Sequence, residues 1–249
     1  MKPTDLTGKI VLVAGASAGI GRATVKALAA QDVRVIAGAR SKNRLQNLAG
    51  TIGESCLPFQ IDITDSKATA NLLANLPEDW RDIHGLVVCA GQDVGGRAPF
   101  HAEDADVWAE NIETNVIGMV RICRAVIDGM RERCVGHIVT LGSTAGFKTY
   151  EGGTIYAATK FAVHAFTDAL AQDYRDSDIR VTEILPGMVR TEFAKTRFRG
   201  DAARAKEFYD TRSGNLDPKD VAQTIVWAMK QPANVNISQI VVHPTRNKG

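Results

Sequence analysis

Short apolar runs, many of them rich in β-branched residues, alternate along this chain with segments of helical length. The strand-like runs are Ile10–Ala14, 33–37, 57–61, 86–89, 137–141, 180–185 and Gln239–Val242. The helical patterns include 21–30, 67–75, 107–130, 154–174 and Pro218–Met229. Continuous apolar strands separated by helices are typical of a parallel sheet that helices cover on both faces. With right-handed crossovers, the sequence predicts an α/β, doubly wound sheet of about seven strands.

Length and composition favour a single domain. The chain has 249 residues, of which 45% are hydrophobic, and this is enough to bury one large core. No linker, repeat or low-complexity stretch interrupts it, so the domain is expected to span residues 1–249. The one long irregular segment is 187–214, and a loop of that length in a compact domain usually serves as a lid or a binding loop.

Charge and cysteine content argue against several classes of function. The 30 basic and 28 acidic residues are interspersed, with a net charge of +2, so neither a nucleic-acid partner nor a membrane partner is expected. The N-terminus lacks the apolar stretch of a signal peptide, and no run approaches the ~18 apolar residues of a membrane span. The four cysteines form no CxxC motif and no Cys/His cluster, so we expect reduced thiols, no metal and a cytoplasmic location.

A glycine-rich turn follows the first strand directly. Glycines let the chain turn tightly and bring its backbone against a pyrophosphate, while the N-terminus of the following helix supplies free N–H groups and a positive dipole. Such a turn could be merely structural, but its place between a strand and a helix predicts a dinucleotide-binding site of the Rossmann type. The predicted contacts are Gly15, Ser17, Gly19, Ile20 and Gly21.

The end of the second strand indicates which dinucleotide is bound. An acidic residue about 20 residues beyond the glycines would bind the adenosine ribose 2′-hydroxyl of NAD, whereas an arginine accommodates the 2′-phosphate of NADP. Here Arg40 follows Gly21 by nineteen residues, no acid is present, and Lys42 and Arg44 come next. A solvated basic loop is the alternative interpretation, but the pattern favours NADP as the cofactor.

Acidic or small residues end the third and fourth strands. Asp62, followed by Ile63, could hold the adenine amine with its carboxylate. Ala90 and Gly91 are small enough to let the cofactor approach closely. These four positions are therefore predicted cofactor contacts.

A serine, a tyrosine and a lysine have a spacing that suits proton transfer. Tyr156 follows Ser143 by thirteen residues and precedes Lys160 by four, so a helix would place Tyr156 and Lys160 on one face. A free tyrosine has a pKa of about 10, too high for an acid or base near neutral pH, and a neighbouring ammonium favours its phenolate. A serine hydroxyl could hold a carbonyl oxygen opposite. These residues therefore predict interconversion of an alcohol and a carbonyl.

Together these residues resemble the short-chain dehydrogenase/reductase family over essentially the whole chain. The motifs that carry the resemblance are Gly15-x3-Gly19-Ile20-Gly21, Asp62, Cys89-Ala90-Gly91, Asn115, Ser143, Tyr156-x3-Lys160 and Pro186-Gly187. The resemblance implies that Tyr156 is the proton donor and acceptor and that Ser143 orients the substrate oxygen. It also implies that Lys160 lowers the tyrosine pKa and binds the nicotinamide ribose, and that Asn115 holds a water in a proton relay.

The resemblance continues after the sixth strand. It implies cofactor contacts at Pro186, Gly187, Val189 and Thr191. Of these, Thr191 would meet the nicotinamide carboxamide. Two departures from the family are visible, because Ala14 replaces its usual Thr and Val88-Cys89 replaces its usual Asn-Asn. Each change deletes a polar tether, and neither removes a catalytic group.

Further stretches resemble one branch of that family, the NADP-dependent 3-hydroxy acid dehydrogenases, which include serine dehydrogenases and malonic semialdehyde reductases. These stretches are 142–146, Tyr150-x-Gly152-Gly153, Arg197-Phe198-x-Gly200-Asp201 and 232–237. Segment 93–97 departs from the branch. The resemblance implies an NADP-dependent oxidoreductase acting on a 3-hydroxy acid or its semialdehyde.

A hydroxy acid needs a cationic partner for its carboxylate, ideally a bidentate arginine. Arg190, Arg97 and Lys148 are candidates, although each could equally be a solvent-facing charge or part of an ion pair. Two other functions stay open, namely reduction of an uncharged or carrier-bound ketone, and nucleotide sensing by a binding protein with a relic active site. The proton-transfer residues argue against the sensor, because a sensor needs no proton donor.

Apolar surface predicts an oligomer. Segment 107–130 carries more apolar residues than one stripe facing a sheet requires, and the helix after Tyr156 adds Phe161 and Phe166. Two such helices could pair with their symmetry mates. The resemblance implies a homotetramer, and a wholly internal helix is the alternative.

Overall fold

A computed structural model describes residues 2–211 and 214–246. The predicted domain and lid also include Met1, Arg212, Ser213 and 247–249, which lie outside the described residues. The described strands are β1 (Ile10–Ala14), β2 (Arg34–Ala39), β3 (Cys56–Gln60), β4 (Ile83–Val88), β5 (Val135–Leu141), β6 (Asp178–Pro186) and β7 (Gln239–Val242). They form one sheet in the order β3-β2-β1-β4-β5-β6-β7, and all neighbours are parallel. This confirms the predicted doubly wound α/β fold.

Helices connect the strands. They are α1 (Gly19–Ala29), α2 (Lys42–Ile52), α3 (Ser66–Ala70), α4 (Ala105–Ile112), α5 (Gly118–Glu132), α6 (Thr154–Asp173), α7 (Phe193–Arg197), α8 (Ala202–Asp210) and α9 (Pro218–Met229). None of the helices in the described part of the chain is long and apolar enough to cross a membrane.

The sheet divides the apolar core into two layers because successive side chains of a strand point to opposite faces. On β1, Val11 and Val13 join the cluster beneath α1 and α9. Ile10 and Leu12 join the cluster beneath α5 and α6. Every residue of β1 is buried, which explains why its sequence is continuously apolar rather than alternating.

The predicted helix 107–130 lies within one helical stretch that is not α-helical throughout. It consists of α4, a π-helical turn at Glu113–Ile117, and α5. A π turn bonds residue i to i+5, and such turns are frequent at functional sites. Asn115 lies within this turn and is buried. The apolar pattern predicted helix in this region but could not show the local widening.

Segment 187–214, predicted to be irregular, contains α7 and α8. Asp201 caps α8 by accepting a hydrogen bond from the Arg204 N–H at 2.9 Å. Phe208 and Tyr209 of α8 bury Ala194 of α7 in a small apolar cluster separate from the two main layers. Helix 42–52 was not among the predicted elements, and the helix predicted at 67–75 covers only Ser66–Ala70.

Candidate active site

The glycine-rich turn packs against the end of β4. Gly15 and Gly19 have φ values of 89° and 50°, in the region that favours glycine. A methyl group on Gly15 would lie 2.5 Å from the Ala90 backbone nitrogen. A methyl group on Gly21 would lie 2.2 Å from the Gly15 carbonyl oxygen. The turn therefore requires glycine at these positions for close backbone packing.

The N-terminus of α1 is arranged for an anion. Ala18 precedes the helix and offers no side-chain cap, and the first turn contains no acidic residue. The N–H groups at a helix N-terminus lack partners within the helix, so an uncapped end favours a phosphate. Ser17 is half-buried in the turn, and Ile20 packs against the core layer beneath α1. This end of the molecule fits the pyrophosphate of a dinucleotide.

Arg40 directly follows β2 and is exposed. Its guanidinium makes no hydrogen bond and no ion pair with any of the described residues. By contrast, Arg44 is paired with Glu192 at 2.7 Å, which joins α2 to the segment before α7. Ala39, before Arg40, is not acidic. An unpaired guanidinium beside a neutral strand end fits a ribose 2′-phosphate.

The two predicted cofactor contacts after β3, Asp62 and Ile63, have different surroundings. Asp62 accepts hydrogen bonds at Oδ1 from the N–H of Thr64 at 3.0 Å and from its hydroxyl at 2.8 Å. The Ile63 side chain is buried, and a methyl group on Gly118 would lie 2.7 Å from its Cγ1. Its side chain therefore packs against the start of α5, and its contact with a cofactor stays a prediction.

Gly91 lies close to two other predicted site residues, Asn115 and Lys160. A methyl group there would be 3.3 Å from Asn115 Oδ1 and 3.9 Å from Lys160 Nζ. Asn115 donates from Nδ2 to the Gln92 carbonyl at 2.8 Å, and its Oδ1 accepts from the Gln92 N–H at 2.7 Å. It also donates to the Thr159 hydroxyl at 3.1 Å. The Asn115 side chain thus fixes the loop after β4 against α6, and its part in a water relay stays a prediction.

Ser143, Tyr156 and Lys160 meet above the end of β5. Tyr156 and Lys160 both lie on α6, as predicted, and Lys160 Nζ is 5.7 Å from the centroid of the Tyr156 ring. Ser143 precedes a short 3₁₀ turn, where its Oγ accepts from the Ala145 N–H at 3.1 Å, and its hydroxyl lies near enough to the Tyr156 phenol to lower the pKa of that phenol. Lys160 Nζ donates to the Leu141 carbonyl at 2.7 Å. The structure therefore brings together the three groups that the sequence proposed for proton transfer.

The electrostatics differ from the sequence prediction in one respect. Burial raises the pKa of the Tyr156 phenol above its ordinary value, and the charge that most lowers it is the guanidinium of Arg197, not the ammonium of Lys160. The Ser143 hydrogen bond lowers it further. Burial also lowers the pKa of Lys160 to about 8, while the nearby Glu183 carboxylate acts to raise it. Lys160 is thus a weakened cation.

Glu183 is a buried acid that the sequence did not single out. It lies on β6 and accepts a hydrogen bond from His164 Nδ1 at 2.7 Å. A methyl group on Gly142 would lie 2.1 Å from its Oε1. Burial raises the pKa of Glu183, and the hydrogen bond from His164 lowers it. The Glu183 carboxylate of this pair contributes negative charge near Lys160.

Arg197 was also missed. It lies on α7, where its Nε donates to Asp93 Oδ2 at 2.7 Å, and the two side chains are 6% and 1% exposed. Its Cζ is 5.9 Å from the Tyr156 ring centroid. Two signals pointed toward it, the Arg197-Phe198-x-Gly200-Asp201 stretch and the unusual segment that contains Asp93. Their joint meaning required the fold, since 104 residues separate the partners.

The three predicted cationic candidates occupy different environments. Arg190 is paired with Asp210 at 2.5 Å and is half-exposed. Lys148 is exposed. Arg97 lies over the Tyr150 ring, with its Cζ 4.1 Å from the ring centroid.

The segment after β6 passes over the glycine-rich turn. Gly187 donates its N–H to the Val242 carbonyl at 2.8 Å, next to Pro186 at the end of β6. Val189 is buried and forms a β-bridge with Leu216. The Thr191 side chain comes within 3.2 Å of where a methyl group on Gly19 would lie. The four predicted positions therefore run from the end of β6 to the segment before α7, with Thr191 beside the glycine-rich turn.

The arrangement defines a class of protein. A parallel sheet presents an anion-binding turn at the carboxyl ends of its strands, and beside this turn a phenol, a serine hydroxyl and a lysine meet, as a nucleotide-dependent oxidoreductase of CH–OH groups requires. No group of three or more His, Cys, Asp or Glu side chains among residues 2–211 and 214–246 is placed to hold a metal ion.

Comparison with known proteins identifies the family. The sequence model of the short chain dehydrogenase family matches residues 9–202, and the chain belongs to that family. It is 40% identical over 236 residues to the NADP-dependent 3-hydroxy acid dehydrogenase YdfG of Escherichia coli (strain K12), covering 94% of both chains. It is 35% identical over 249 residues to the NADP-dependent 3-hydroxy acid dehydrogenase of Schizosaccharomyces pombe, covering 98% of this chain and 95% of that protein.

A solved structure agrees with this assignment. The closed form of serine dehydrogenase complexed with NADP+ superposes with a TM-score of 0.90 at 40% identity, covering 94% of each chain. The predicted resemblance to the family and to its 3-hydroxy acid dehydrogenase branch is therefore confirmed.

Proposed function

We propose that this protein is an NADP-dependent oxidoreductase that interconverts a 3-hydroxy acid and the corresponding carbonyl compound, such as a semialdehyde. The observation that carries the proposal is the meeting of Ser143, Tyr156 and Lys160 beside the glycine-rich turn. The names of the relatives support both the cofactor and the substrate class.

The preference for NADP over NAD is supported by Arg40. Its exposed guanidinium has no partner among the described residues, and Ala39 offers no carboxylate that would repel a phosphate. A phosphate dianion can therefore take the guanidinium without breaking an existing ion pair.

In the proposed mechanism the nicotinamide supplies or accepts the hydride, and the protein handles the proton. The Tyr156 hydroxyl gives its proton to the carbonyl oxygen during reduction and recovers it during oxidation. Ser143 donates a hydrogen bond to the same oxygen and holds it near the phenol. Lys160 stabilises the phenolate that remains, and Asn115 keeps the loop after β4 in place against α6.

An anionic substrate is supported by the charges around Tyr156. Arg197 and Lys160 lie 5.9 Å and 5.7 Å from the Tyr156 ring centroid, and Arg97 lies over the Tyr150 ring. The acids that act on these groups are Asp93 and Glu183, so three positive charges face two negative charges. A second candidate is an uncharged or carrier-bound ketone. It is favoured by the Asp93–Arg197 pair, because a resident carboxylate already offsets one of the two arginines.

We infer that 187–214 acts as a lid over a single domain. Three ion pairs join this segment to the body of the molecule, namely Arg44–Glu192 at 2.7 Å, Asp93–Arg197 at 2.7 Å and Glu103–Arg199. Breaking and remaking such contacts would let substrate enter and would then enclose it.

We also propose a cytoplasmic homotetramer. Ile112, Val120 and Phe161 are large apolar side chains exposed on α4, α5 and α6, while Trp227 and Val241 are exposed on α9 and β7. A tetramer with three two-fold axes uses two or more self-complementary interfaces, and two separate apolar regions suit such an assembly. The described cysteines are free thiols, as suits a reducing compartment.

The experiment that tests the proposed function measures NADPH oxidation by the purified protein. The compounds are semialdehydes, 2-keto acids, 3-keto acids and neutral ketones, each at matched concentration. We expect consumption with semialdehydes or 3-keto acids above all others. Preference for neutral ketones would favour the second candidate, and NADPH binding without consumption of any compound would identify a sensor.

A further inference from the structure

The guanidinium of Arg197 is buried but mostly unused. Its Nε donates to Asp93 Oδ2 at 2.7 Å, whereas Nη1 and Nη2 donate to none of the residues that the structure describes. The side chain is only 6% exposed. A guanidinium has five N–H donors, and the Arg197 Nη atoms are not among the fully buried side-chain atoms that lack a partner. They therefore stay accessible to an acceptor that enters the site.

Those nitrogens belong to the surroundings of the reacting group. Arg197 Cζ is 5.9 Å from the centroid of the Tyr156 ring and 5.2 Å from that of Phe193. The Tyr156 and Phe193 rings meet edge to face with centroids 5.6 Å apart. Apolar rings thus flank the guanidinium, and a polar substrate group between them has few other partners.

The position of the Arg197 guanidinium suits the carboxylate of a short hydroxy acid. The carboxylate carbon of a 3-hydroxy acid is two C–C bonds from the carbinol carbon, a distance of about 2.5 Å. With the carbinol oxygen at the Tyr156 hydroxyl, the carboxylate falls beside the same ring that Arg197 faces. A planar guanidinium binds a carboxylate through two parallel N–H···O bonds, which Nη1 and Nη2 can supply together with the least rearrangement.

We propose that Arg197 determines specificity for the substrate carboxylate, and that Asp93 is a positioning residue that holds Nε so that the Nη groups face the substrate. This inference rests on the proposed function and adds to it the residue that selects an acid. The Arg97 guanidinium, whose Cζ lies 5.8 Å from the Phe208 ring that Arg197 also faces at 5.0 Å, balances the Asp93 charge. The substrate carboxylate then balances Arg197.

The test compares 3-hydroxybutanoate with its methyl ester, which has the same carbinol but no charge. We measure kcat and KM for both with NADP in the wild type, Arg197→Lys and Arg199→Lys. Lysine keeps a positive charge beside Asp93 but loses the planar fork, so KM for the acid should rise at least about tenfold in Arg197→Lys. KM for the ester should stay within about twofold.

Arg199→Lys is the matched control. It makes the same exchange in the same segment 187–214, at an exposed arginine that pairs with Glu103, and should change neither KM. If Arg197→Lys fails to fold, as judged by circular dichroism, the double variant Asp93→Asn/Arg197→Met removes the pair without leaving a buried carboxylate unpaired. The same contrast between acid and ester is expected from it.

Each result decides the proposal. Equal shifts for acid and ester in Arg197→Lys, or no shift, would overturn it. A wild type that oxidises the ester but not the acid would overturn it too, and would leave the oxidoreductase assignment standing. If the wild type oxidises neither, the proposed function fails, and the Kd of 3-hydroxybutanoate for the NADPH complex, from NADPH fluorescence, becomes the test. A Kd at least about tenfold higher in Arg197→Lys supports Arg197, whereas equal values or no binding refute it.

Discussion

Replacing Gly15 with alanine should damage both the fold and the nucleotide site, for reasons that a control variant can separate. The backbone of Gly15 has a φ of 89°, and the new methyl group would lie 2.5 Å from the Ala90 nitrogen and 2.8 Å from its Cα. Gly8 is the control, because its φ is 68° and no atom lies within 4 Å of where its methyl group would be.

The two glycines share one cost and differ in another. A positive φ costs an alanine roughly 1–2 kcal/mol at either position. At Gly15 the methyl group also meets backbone atoms of the segment directly after β4, which the Cys89 N–H anchors to the Ala14 carbonyl at 2.8 Å. Overpacking of this kind adds about 1–3 kcal/mol. We therefore expect Gly15→Ala to lose about 2–5 kcal/mol of unfolding free energy and Gly8→Ala about 1–2 kcal/mol.

Urea unfolding at a fixed protein concentration, with an unchanged m-value, measures the stability of each variant. A titration with NADP measures the site, and only Gly15→Ala should bind it more weakly than the wild type. Equal losses of stability in the two variants would refute the packing argument. Wild-type NADP affinity in a folded Gly15→Ala variant would refute the assignment of this turn to the cofactor.

Three further predictions concern the cofactor, the pH dependence and the assembly. Arg40→Ala should weaken NADP binding at least about tenfold and leave NAD binding unchanged, as measured by calorimetry; equal effects on both would remove the phosphate role. Glu183→Gln removes the charge that most raises the pKa of Lys160, already brought to about 8 by burial, so carbonyl reduction should fall off with rising pH earlier than in the wild type. An unchanged pH–rate profile would contradict this. If the protein is the proposed tetramer, Phe161→Glu should convert it to smaller species in light scattering, and an unaltered mass would exclude α6 from the interface.

The sequence predicted the fold well because the five inner strands of the sheet are mostly buried on both faces, and only the edge strands β3 and β7 are partly exposed. Continuous apolar runs marked all seven strands, and the limits of β1, β7 and α9 agree with the structure. At α9 the local signals are strong, with Asp217 and Asp220 forming a capping box around Pro218. The predictions of secondary structure failed where tertiary packing determines the local conformation. Examples are the π turn and the helices α7 and α8, whose apolar cluster is too small to form a clear pattern in the sequence.

The candidate site was predictable where spacing along the chain fixes geometry. Tyr156 and Lys160 lie close together because residues four apart are about one turn apart on a helix. The glycines lie close together because they form the short turn between β1 and α1. Arg197 and Glu183 could not be found this way. Their partners, Asp93 and His164, come from distant parts of the chain, and only the fold brings each pair into a buried contact.

The central claim is that the Tyr156 hydroxyl transfers the proton while a dinucleotide carries the hydride. The most direct measurement compares the wild type with Tyr156→Phe, which removes only that oxygen, in NADPH consumption with the best carbonyl compound and in NADP binding. We predict that turnover falls by about 10²–10⁴-fold while NADP affinity is retained. Turnover close to that of the wild type in a variant without the hydroxyl would contradict the claim.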